Sequence, residues 1–151
     1  MFVYYFVHIE APFEEAEAAV LGRIGALASI ADESYRSGEA LSMNGSGDAL
    51  VKVVRMEAGE PIRGASETAV PLIWEATGSG ILFPRMEADL VVARVGPELT
   101  QISFRGSYTP PFGRLGRTLD RTVMHRVAEA VVKRFVDRIA LSVAAEMPTA
   151  F

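Results

Sequence analysis

The chain has 151 residues, half of them apolar, with 23% charged, 9% aromatic and no cysteine. That length fits one domain spanning 1–151 with a sizeable core, while the missing cysteines exclude disulfides, thiolate metal sites and cysteine nucleophiles, and two histidines are too few to favour zinc. The net charge of −4 is split into −8 over residues 1–100 and +4 over 101–151, which predicts attraction between the two parts and not the clustered basic face of a nucleic-acid binder.

Residues 2–9 (FVYYFVHI) are aromatic and β-branched, the composition of a strand apolar on both faces. Phe2, Tyr4, Phe6 and His8 share one face; Val3, Tyr5, Val7 and Ile9 share the other. The segment lacks a basic start and runs into Glu10, so it does not read as a signal peptide. No stretch approaches the roughly 20 apolar residues of a membrane span. A cytoplasmic protein with no integral membrane association is expected.

Ala11-Pro12-Phe13-Glu14-Glu15 opens a helix, because proline costs no hydrogen bond in the first turn and the glutamates suit the helix dipole. Phe13, Ala16, Val20 and Ile24 form its apolar stripe. Gly22 and Gly25 should break it into two short helices ending near Ile30, with 31–38 a polar connector.

From residue 39 to 108 the period changes to two. Residues 40–43 lead into Asn44-Gly45-Ser46-Gly47, a hairpin signal, and 48–57 is the return strand. Residues 58–67 read as a loop or broken strand. Residues 69–77, 85–95 and 100–108 alternate, placing Val70, Leu72 and Trp74, then Met86, Ala88, Leu90 and Val92, then Ile102, Phe104, Gly106 and Tyr108 on one face. The whole is an antiparallel meander apolar on one side. Pro110-Pro111 ends it. A helix over 117–144 follows, with Val127, Val131, Phe135 and Ile139 in a stripe that Ala128, Val132 and Val136 widen.

In element order, and in Val70-Pro71-Leu72-Ile73-Trp74-Glu75, Leu82-Phe83-Pro84, Ala88-Asp89-Leu90, Gly106-Ser107-Tyr108-Thr109-Pro110-Pro111-Phe112-Gly113 and His125-Arg126-Val127-Ala128-Glu129-Ala130, the chain resembles the START-like, or birch-pollen-allergen-like, superfamily (SRPBCC). These segments are fold markers and not catalytic signatures. The resemblance implies an α+β helix-grip fold: a curved antiparallel sheet of six or seven strands around a long C-terminal helix, enclosing an apolar cavity. The seventh strand would come from 61–68. It also implies a small hydrophobic or amphipathic ligand as partner, with no cofactor and no metal, or alternatively chemistry of the polyketide cyclase/dehydrase type. Given such a cavity, Trp74, Phe83, Met86, Phe104 and Tyr108 are wall candidates, joined by Tyr4 and Phe6 from the first strand; ordinary core packing is the competing explanation.

His125, early in the last helix, reads as a polar anchor or general base at the cavity mouth, or else as a packed structural histidine. Arg114, Arg117 and Arg121 oppose the helix dipole and call for a nearby anion. Gly113 and Gly116 would let 109–116 act as a lid. A third function class, a protein-interaction domain, predicts an exposed apolar patch. Homodimerisation is compatible with the pattern, though no residue specifies it.

Overall fold

The computed structural model describes residues 1–42, 53–77, 85–108 and 121–147. Along the chain run β1 (Phe2–Ile9), α1 (Phe13–Leu21), a 3-10 turn (Ile24–Ala26), α2 (Leu27–Ser42), β2 (Val53–Ala58), β3 (Ile62–Arg63), β4 (Glu67–Thr77), β5 (Met86–Gly96), β6 (Leu99–Tyr108) and α3 (Arg121–Glu146). The strands form one antiparallel sheet in the order β1-β6-β5-β4-β2, with β3 also paired to β4. This is the α+β helix-grip arrangement, with α3 lying on the inner face of the sheet. No described helix is long and apolar enough to cross a membrane.

Period-two patterning is obeyed in the sheet because one face packs on α3 and the other meets water. Met56, Trp74, Met86 and Tyr108 make one inward row across β2, β4, β5 and β6; Val70, Leu90, Phe104 and Tyr5 make another. Between them lies a row of Leu72, Ala88, Gly106 and Val3. The stripe Val127, Val131, Phe135 and Ile139 of α3 is fully buried over these rows, as are Ala128, Val132 and Val136.

The edge of the sheet beside β4 is broken in two. Gly59 donates its N–H to the carbonyl of Pro71 at 2.8 Å, but Pro71 has no N–H to return, so the ladder loses one bond there. The chain leaves the sheet after Ala58 and rejoins it at Ile62.

Two expectations are corrected here. Residues 31–38 are not a connector and 40–42 are not a strand, since both belong to the 16-residue α2. The second helix is therefore not short. Leu27, Ala31 and Ser34 recur at helical spacing and are buried, and Ser34 donates its hydroxyl to the carbonyl of Ile30 at 2.6 Å. A stripe made of small and polar residues carries little hydropathy signal, and packing against α3 decides the outcome. The six described strands thus gain β3 and lose 40–42. The break at Gly22 and Gly25 falls where the sequence predicts, with Gly22 as the C-cap of α1. The expected hairpin turn at 44–47, the lid at 109–116, and Arg114 and Arg117 lie outside the described residues.

Charge pairs tie the layers together. Arg138 on α3 donates to Glu33 on α2, the attraction that the charge split predicts. Arg23, after α1, donates to the Ser142 hydroxyl at 2.6 Å and carbonyl at 2.8 Å and pairs with Glu146 at 2.7 Å. Buried Glu17 of α1 accepts from the Thr68 hydroxyl and from Arg63 at 2.5 Å. The Thr68 hydrogen bond, with a smaller effect of Arg63, holds its carboxyl below the usual glutamate range against the opposing cost of burial. A lowered folded-state value stabilises the fold above a free glutamate's 4.5 and ceases to do so as pH falls through the folded value. Glu17→Gln should therefore cost about 1–3 kcal/mol at neutral pH and flatten the acid limb below pH 4.5. Urea midpoints at pH 7, 5 and 3.5 check this; an unchanged acid limb would assign the acid sensitivity elsewhere.

Candidate functional site

Five of the eight predicted wall and anchor residues meet on the inner face. Trp74, Met86 and Phe104 are wholly buried, Tyr108 is nearly so, and His125 faces them from α3. Trp74, Phe104 and Phe135 pack edge-on or tilted with ring centroids 5.1–6.1 Å apart. This trio fills the middle of the crevice, and Gly106 makes it so compact. A Cβ at Gly106 would lie 2.6 Å from Met86 Sδ and 2.7 Å from Phe104 Cε1. The small residues of the central row are covered by their large neighbours.

Tyr4 and Phe6 are corrected. They stand on the outer face, 46% and 45% exposed, in a row of rings running from Phe2 to His8. The odd-numbered side of β1 turns inward instead, and Tyr5 donates its hydroxyl to Asp137 of α3 at 2.7 Å. Both sides of the strand are apolar, so alternation alone could not say which was which. His8 lies at the exposed end of the row, 3.1 Å from Gln101. Phe83 lies outside the described residues. A trough of about 900 Å³ also lies on the outer face, lined among others by Phe2, Pro71, Ile73, Glu87, Asp89 and Arg105.

The polar group of the inner face is a chain of three side chains. The Tyr108 hydroxyl is 3.1 Å from His125 Nδ1, and His125 Nε2 is 3.1 Å from Glu129 Oε1. Exposure rises along it: Tyr108 is buried, the His125 side chain is 30% exposed and that of Glu129 59%. In a neutral imidazole only one ring nitrogen carries a proton. A carboxylate beside Nε2 calls for the proton there, so Nδ1 is the acceptor and Tyr108 is the donor. Burial, and secondly the charge of Glu129, push the Tyr108 phenol above its usual range. It therefore stays protonated at neutral pH and works as a hydrogen-bonding group, not as a phenolate. Glu129 was missed among the candidates; its signal was the i, i+4 spacing from His125.

Neither family models nor curated proteins match the chain. Among solved structures it is similar to a conserved protein from Geobacillus kaustophilus, with 13% identity over 94% of each chain and a TM-score of 0.53. It is also aligned with the ZhuI aromatase/cyclase from Streptomyces sp. R1128, at 14% identity over 97% of this chain and 92% of that one, with a TM-score of 0.48. A hypothetical protein from Helicobacter pylori aligns at 12% identity over 91% and 87%, with a TM-score of 0.46. The Geobacillus likeness is one of fold.

Proposed function

We propose that this protein binds a small hydrophobic or amphipathic molecule between the sheet and α3, with the ligand's polar end at Tyr108 and His125. The observation that carries this reading is a hydrogen-bonded polar chain at the end of a largely apolar inner face, where Tyr5 and Asp137 make a separate polar contact. Small-molecule sites are mostly apolar, with a few placed polar groups that fix orientation. The filled centre around Trp74, Phe104 and Phe135 leaves the Tyr108 end for the ligand.

Native mass spectrometry of freshly purified protein, followed by solvent extraction, tests the reading. A stoichiometric apolar adduct is expected. Tyr108→Phe should weaken rebinding of the extracted compound about 5- to 10-fold, the loss of one hydrogen bond. A bare mass together with no calorimetric binding of 2-naphthol at millimolar concentration would overturn it.

Catalysis of the polyketide cyclase/dehydrase type would use the same three side chains, with His125 taking a proton through Tyr108 and Glu129 stabilising the imidazolium. Turnover lost in His125→Ala with ligand binding retained would distinguish an enzyme from a carrier. Interaction with a protein is the reading favoured by the exposed rings of Phe2, Tyr4 and Phe6 on the outer face. It predicts association that Tyr4→Ser with Phe6→Ser abolishes, read by sedimentation velocity.

A further inference from the structure

The direction of the hydrogen bonds at Tyr108 specifies the polar group of the molecule it meets; the following rests on the ligand-binding reading above. In the neutral state the Tyr108 proton is committed to His125 Nδ1, because Nε2 carries its proton toward Glu129. The other neighbour of the hydroxyl is Met1 Sδ at 3.5 Å, a thioether that can only accept, and a far weaker acceptor than an imidazole nitrogen. Among the described residues, no donor reaches the phenolic oxygen. The hydroxyl is satisfied as a donor, and its oxygen keeps open acceptor capacity.

We infer that the site selects a ligand whose polar group donates a hydrogen bond, an alcohol or phenol on an apolar body, in preference to one that only accepts, such as an ether or ketone. Glu129 touches no ligand in this scheme. It is a positioning residue: it holds the His125 tautomer, which holds the Tyr108 proton away from the ligand.

The test compares 2-naphthol with 2-methoxynaphthalene, which share the apolar body and differ in the donor, by calorimetry on the full chain. At pH 8 the naphthol should bind about tenfold more tightly than the ether. Tyr108→Phe should abolish the preference, so that the two probes bind alike. Glu129→Gln should also erase it, because an amide can accept from Nε2 or donate to it; a purely structural role of Glu129 would lower both affinities equally. Equal binding of the two probes to the wild type at pH 8 would overturn the inference and leave the ligand-binding reading standing. If neither probe bound and the native mass were bare, both would fail.

Discussion

Phe135→Ala is expected to cost about 3–5 kcal/mol of folding stability, the usual range for removing a ring from a close-packed core. Phe135 is wholly buried at the middle of α3, and its ring lies 5.1 Å from that of Trp74 and 5.9 Å from that of Phe104. Those neighbours come from β4 and β6, and are held by strand pairing and cannot close fully over the space. Urea denaturation with an unchanged m-value measures the cost. Phe135→Leu should recover most of it, since much of the volume is restored. A loss below about 1.5 kcal/mol for the alanine variant would mean that the inner face is a cavity already, contrary to the packing described. The result bears on function, because the ring trio is the filled centre that leaves the Tyr108 end for a ligand.

Gly106→Ala should destabilise the protein by about 1–3 kcal/mol, although alanine suits a strand better than glycine does. The added methyl meets Met86 Sδ at 2.6 Å and Phe104 Cε1 at 2.7 Å. Met86 is unbranched and can turn aside, but Phe104 is fixed against Trp74 and Phe135. The strain should therefore be shared unequally. A double-mutant cycle with Met86→Ala resolves it: the pair should lose at least 1 kcal/mol less than the two single losses combined. Strict additivity would show that Gly106 is not held small by Met86. Since Met86 is the cross-strand partner of Tyr108, Gly106→Ala should weaken ligand binding more than Phe135→Leu does.

Much of the sheet was legible because burial on one face leaves a period of two in the residues themselves. Val70, Leu72 and Trp74 and their counterparts on β5 and β6 all turned inward as the alternation predicts. The long last helix was equally legible from its stripe. The second helix was not, because Ala31 and Ser34 are buried by fit against α3 and not by hydrophobicity. Nor was the inner face of β1. Phe6 and Val7 differ little in hydropathy, and only the position of Asp137, which is 132 residues from Tyr5 in sequence, shows which side is inward.

For the site, the sequence by itself determined the residue types; the four-residue spacing of His125 and Glu129 was present in it, but their pairing was read only from the structure. It also determined that neither cysteine chemistry nor a membrane-spanning helix is available in this stretch of chain. Only the tertiary structure decided that Tyr108 is the third member, that Trp74 and Phe104 are core, and that Tyr4 and Phe6 face outward. The physical reason is the same in each case. Composition and period report how often a side chain is buried, whereas the partner that buries it, or bonds it, arrives from another element through strand register and helix placement.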